Sequence, residues 1–225
     1  MVVAGNVVDA ATVRLLVPMM AVVAMFGVPY IHLMPSIAAT FFTGEASTFG
    51  LLMSSAGFGA LLAAFYLSMQ RNTDQQRLLI AWAPLVLGAA LTVFAASRTL
   101  ALTMFLLAVI GASIMCCANS ANVLLQQSVT DEWRGRAIGL YAMSFQGVAP
   151  VGTLLAGALA SHIGLAATLT LNGLVVVAVA LFVRSRMAAN PALLDSATYL
   201  PTVGQAGTEA SPPAVPAFAR QPAAE

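Results

Sequence analysis

The sequence predicts an all-α membrane protein with six transmembrane helices. Composition is the first reason. Of 225 residues, 60% are hydrophobic and only 8% are charged, against about 45–50% and about 25% in a soluble domain. So few charges cannot cover a water-facing surface, and a mean hydropathy of +0.91 excludes disorder over most of the length. Spacing is the second reason. Charged residues cut the chain into stretches that suit a hydrocarbon core of ~30 Å, which takes about 20 helical residues. The third is an uneven distribution of arginine between alternate loops. A net charge of +1 offers no basic face, so no nucleic acid partner is expected; the expected surroundings are a lipid bilayer.

The elements follow in order. Residues 1–13 are expected as a cytoplasmic N-terminal segment and 14–187 as the helical bundle. Leu15 to Gly44 is an uncharged run of 30 residues and predicts span 1, near 14–36. Ala46 to Gln70 predicts span 2, near 47–69. Leu78 to Ser97 predicts span 3, near 78–97. Thr99 to Thr130 predicts span 4, near 100–127. Ala137 to Val183 is 47 residues, about 70 Å as one helix, and too long for one crossing. It is expected to fold back at Ser161-His162-Ile163-Gly164, giving span 5 near 137–161 and span 6 near 165–184. No run alternates polar and apolar residues as a barrel strand does.

Cytoplasmic loops collect arginine and lysine. With the N-terminus inside, the inner segments hold Arg14, Arg71, Arg77, Arg134, Arg136, Arg184 and Arg186, and the outer loops only Arg98. Both termini are therefore expected in the cytoplasm, in a multi-pass cell-membrane (inner or plasma membrane) protein. No cleavable signal is expected, because Asp9 precedes a first span that is too long for one. The tail 188–225 holds six of the eleven prolines among Ala, Gly, Ser and Thr and is expected to be disordered.

The chemistry expected is sparse. No carboxylate lies inside a span, and no HExxH, GxSxG or phosphate-cradling glycine loop is present. No enzyme, cofactor or metal site is expected, and adjacent Cys116 and Cys117 read as packing residues. Within the apolar runs, Asn119, Asn122 and Gln126 share one face of span 4. Span 5 adds Tyr141, Ser144 and Gln146, and span 1 adds Tyr30, His32 and Ser36. Amides in lipid need partners. Asn119, Asn122, Tyr141, Gln146 and His32 either line a substrate cavity or join helices; His32, between Pro29 and Pro35, has the further reading of satisfying a broken helix. Gly147, Pro150, Gly152 and Gly157 give span 5 a small-residue face for close packing or a hinge. The inner loop Asp131-Glu132-Trp133-Arg134-Gly135-Arg136 reads as a positive-inside anchor or a set of pairing charges.

The stretch from Asn122 through Asp131-Glu132-Trp133-Arg134-Gly135-Arg136 to Tyr141 resembles the loop between the tenth and eleventh helices of major facilitator superfamily exporters. Gly147 to Gly152 and Leu155 to Gly157 resemble the start of the eleventh helix. Phe26 to Pro35 resembles the seventh, and Ser47 to Leu52 with Gly57 to Leu62 the eighth. The likeness is to the bacterial enterobactin-type and macrolide-type branch, over about residues 14–184. It implies the C-terminal half of that fold: six helices as two inverted three-helix repeats. It further implies export of small molecules by alternating access, with spans 1, 2, 4 and 5 lining the cavity and spans 3 and 6 peripheral. Asp131, Glu132, Arg134, Gly135 and Arg136 would then latch one state, whereas residues 70–77 are only a degenerate trace of the superfamily's other loop motif. The partner implied is an N-terminal six-helix half or a second copy. The alternative is a non-transporting six-span subunit, scaffold or inactive remnant.

Overall fold

The computed structural model describes residues 10–42, 46–70, 73–127, 129 and 131–189. Most of the expected N-terminal segment and of the expected tail lies outside them. The described elements are helical: α1 (Ala10–Val22), α2 (Tyr30–Phe41), α3 (Ala46–Ser68), α4 (Thr73–Ala96), α5 (Leu100–Gln127), α6 (Asp131–Ala142), α7 (Ala149–Ile163) and α8 (Leu165–Ala189). A π turn, Val23–Gly27, joins α1 towards α2, and another, Met143–Gly147, joins α6 towards α7. Counting each interrupted pair once, six runs are long and apolar enough to cross a membrane: Val13–Phe41, Ala46–Ser68, Asp74–Ala96, Leu100–Gln127, Glu132–Ile163 and Leu165–Ala189.

The helices run longer than the charges alone suggest. Pro35 does not end span 1, because a proline inside a helix costs one hydrogen bond and lipid makes every alternative costlier. Span 5 begins as helix at Asp131, so the charged segment expected as a loop forms the first turns of α6. Acids at a helix start suit its positive end. The fold-back lies where Gly164 takes φ +85, a conformation that L side chains rarely adopt; α7 ends one residue before it and α8 starts one residue after.

Without a hydrophobic driving force between helices in lipid, close backbone approach decides which helices pair. Glycines mark the pairs. A Cβ on Gly59 of α3 would land on the Ala108 carbonyl of α5, and one on Gly111 of α5 on the Ala56 carbonyl of α3. Gly88 of α4 and Gly173 of α8 press on each other's carbonyl in the same way. Gly152 of α7 presses on the Met25 carbonyl in the first π turn. These contacts obey a rule. Exchanging spans 1–3 with spans 4–6 turns the α3–α5 pair into the pair of α7 with span 1, and returns the α4–α8 pair to itself. This is the pairing of two inverted three-helix repeats.

Between the pairs the core fills with Leu16, Met19, Met20, Met34, Ile37, Leu52, Leu87, Leu91, Leu107 and Ile110, each at most 1% exposed. Flexible methionines suit the irregular space left by interrupted helices. Phe58, Leu61, Phe65, Phe105 and Leu174 face outward, as lipid contact requires. Several hydroxyls inside the spans bond back one turn, as Thr92 does to the Gly88 carbonyl (2.8 Å) and Ser113 to that of Val109 (2.7 Å), which satisfies their donors.

Candidate functional site

Two helices are interrupted side by side. In span 1 the sequence Gly27-Val28-Pro29 follows the π turn; in span 5 it is Gly147-Val148-Ala149-Pro150. Pro29 has no N–H for the Met25 carbonyl, and Pro150 none for that of Gln146. Each break is thus a proline effect with a glycine just ahead of it, and the widened π turn takes up the misfit. The two π turns touch. Gly152 leaves no room for a side chain against the Met25 carbonyl, the one that Pro29 deprives of its helical donor.

Beside this junction lies an open groove of about 680 Å³, lined by Val28 and His32 from span 1 and by Phe145, Gln146, Ala149, Pro150, Thr153 and Leu154 from span 5. Its walls are apolar with three polar groups, the usual make-up of a site for small organic molecules. It lies on the least covered span: 11% of the apolar window of Glu132–Ile163 is buried, against 50% for Asp74–Ala96. His32, Gln146 and Pro150 are exposed. Lipid tails cannot hydrogen-bond an imidazole and an amide, so this face calls for water or protein.

The sequence candidates separate into groups. His32 and Gln146 share the groove. Asn119, Asn122 and Tyr141 lie apart from it, where α5 meets α6. There the Tyr141 hydroxyl donates to the Ala118 carbonyl (2.9 Å) and Gln126 Nε2 donates to Asn122 Oδ1 (3.0 Å). Asn119 is half-buried and makes no side-chain hydrogen bond among the described residues. Tyr141 stacks on Phe145 (6.2 Å between centroids), which links this region to the groove. Glu132, Arg134, Gly135 and Arg136 are exposed on α6; the Arg136 guanidinium lies 4.6 Å over the Trp133 ring. Of the small residues in span 5, Gly152 is in close contact, whereas Gly147 and Gly157 have nothing within 4 Å of a built Cβ. Cys117 is buried with Sγ 3.6 Å from Met20 Sδ, and both cysteines are free thiols.

Sequence reading missed Thr153, although its spacing of seven from Gln146 places both on one helix face. It also missed Gln76, which is buried and accepts from Ser120 Oγ at 2.8 Å. Thr73 to Arg77 is the start of α4, so Gln76 faces α5 where a loop was expected. Asn172, buried in α8, was likewise overlooked.

Fold and groove together define a multi-pass helical membrane protein of the major facilitator type. Residues 7–203 match the family described as transmembrane secretion effector, and the chain belongs to that family. It is also similar to the multidrug efflux pump Tap of Mycolicibacterium fortuitum, with 30% identity over 124 residues, 55% of this chain and 30% of the pump. The match thus spans under a third of that relative's length. No solved structure matches.

Proposed function

We propose that the chain is the C-terminal half of a small-molecule efflux permease. It rocks against a second six-span half, or a second copy, in alternating access. The supporting observation is the groove: a polar-dotted concavity at membrane depth on the least covered span is unsuited to lipid and suited to a substrate path closed by a partner. The similarity to a multidrug efflux pump supports export of drug-like amphipathic compounds. His32, Gln146 and Thr153 supply its polar contacts, and Asn119, Asn122 and Tyr141 continue the wall along α5 and α6. The exposed charges of α6 (Glu132, Arg134, Arg136, with Asp131 and Gly135 of the same motif) form the latch with the partner. The arginine bias supports both termini lying in the cytoplasm of a cell-membrane protein.

The test is efflux of a fluorescent amphipathic dye from cells that express the chain with a six-span N-terminal half, and alone. Efflux is expected with the partner. His32→Leu and Gln146→Leu should each lower it about tenfold, the worth of one or two lost hydrogen bonds. If neither arrangement exports the dye while the protein sits folded in the membrane, the chain is a non-transporting subunit or remnant.

A further inference from the structure

Outside the groove, α4 and α8 run antiparallel. Gly88 meets Gly173, and nearer the start of α4 the Arg184 guanidinium lies over the Trp82 ring, 3.9 Å from its centroid. Arg184 is 19 residues into α8, about 29 Å along the axis, the depth at which a span leaves hydrocarbon. Trp82 is 47% exposed. Two residues on, Arg186 lies over Phe182 of its own helix, at 5.0 Å.

A stacked guanidinium uses its face and keeps its N–H groups, all in the ring-parallel plane, free to donate. Arg184 donates to no described residue. Arg98, near the opposite end of the bundle, is the internal contrast. It also stacks, on Phe41 at 4.1 Å, but its Nη1 already donates to the carbonyls of Ala95 (3.1 Å) and Ser97 (2.9 Å). Nor is there a carboxylate at hand for Arg184 among the described residues. α8 contains none; α5, the other helix packed on α4, contains none; and Asp74 of α4 is paired with Arg77 (3.4 Å). Leu78, Trp82 and Val86 form an exposed row at four-residue spacing that runs from the membrane end of α4 towards its middle, and Leu181 and Leu174 are exposed on α8.

We infer that the Arg184–Trp82 stack, with Arg186, is a binding site for one anionic phospholipid. The phosphate accepts from the in-plane guanidinium donors. The acyl chains lie on the apolar row of α4 and α8. Charge complementarity selects an anionic headgroup, and the adjoining apolar strip selects a lipid over a free phosphate.

Native mass analysis of the full chain in mild detergent tests this, with phosphatidylglycerol or phosphatidylcholine of identical acyl chains supplied. The wild type should retain phosphatidylglycerol in preference. Arg184→Gln should reduce that retention about tenfold to the phosphatidylcholine level, and Arg98→Gln should leave it unchanged. Trp82→Leu keeps the site apolar but removes the stack, and should lower retention several-fold; it decides the matter should Arg184→Gln not fold. Equal retention of the two lipids by the wild type, or undiminished retention by Trp82→Leu and Arg184→Gln, overturns the site. Displacement of the lipid by millimolar inorganic phosphate alone overturns the lipid assignment, since the acyl contacts would then hold nothing.

Discussion

At the scale of single residues the bundle is decided by where a side chain has no room. A methyl group at Gly88 would meet the Gly173 carbonyl at 2.6 Å and the Val177 nitrogen at 2.8 Å; both are backbone and neither can step aside. Gly88→Val should therefore destabilise the fold by at least about 1–3 kcal/mol. Its melting temperature in detergent is expected to fall by several degrees. Gly57→Ala offers the opposite case, for nothing lies within 4 Å of a Cβ there. Alanine is the better helix former by up to about 1 kcal/mol, so the same measurement should show no loss and a small gain. A common fall for both variants would mean that close approach is not what distinguishes these glycines. The single hydrogen bond from Tyr141 to the Ala118 carbonyl is a smaller matter. Tyr141→Phe should cost about 0.5–1.5 kcal/mol, visible in the same melt.

At the scale of elements the described spans contain five prolines, and only two of them break a helix. Pro18, Pro35 and Pro84 sit inside α1, α2 and α4. Pro29 and Pro150 follow a glycine by two and three residues and coincide with a π turn. Proline removes one donor; the preceding glycine removes the side chain that would stiffen the turn. Pro150→Ala should restore the missing bond to the Gln146 carbonyl. Hydrogen exchange of the amides in 146–152 is the measurement, and exchange slower by about tenfold is expected from one hydrogen bond of ordinary strength. Unchanged exchange would place the cause of the break in packing against span 1.

That contrast also marks what the sequence could disclose. The spans were legible because arginines and acids punctuate them at bilayer spacing, and Gly164 was legible as the turn in a run too long to cross once. The small-residue face of span 5 was legible in Gly147, Gly152 and Gly157, but that Gly152 alone of the three is in close contact was not. Which glycine of Gly57 and Gly59 is crowded was not, because they lie two residues apart in one apolar run and only the neighbouring helix tells them apart. His32 and Gln146 were each visible as polar residues in apolar runs. Their meeting in one groove depends on the register of span 1 against span 5, and that register is set by Gly152 on Met25, a contact no local pattern encodes. The helical start of α6 was hidden for a different reason: its charges look like a loop unless the helix dipole and the length of the span are weighed together.

At the scale of the whole molecule, coverage is uneven. Asp74–Ala96 is half-buried, while Glu132–Ile163 has little protein over it and carries polar groups on its bare side. A membrane protein that met only lipid would have the reverse distribution, with its polar groups turned inward. The exposed face of span 5 is accordingly expected to be an interface. Leu154 is 75% exposed and lines the rim of the groove, so it is a suitable reporter. With Cys116 and Cys117 replaced by alanine, Leu154→Cys should cross-link to the partner half, or to a second copy, under mild oxidation in the membrane. Phe65→Cys on α3, equally bare at 68% but flanked by apolar residues, should cross-link far less. Comparable cross-linking at the two positions would mean random collision, and none at Leu154 would leave span 5 facing lipid. In that last case His32 and Gln146 would have to draw water into the bilayer, and the groove would be a local thinning of the membrane and not half of a transport path.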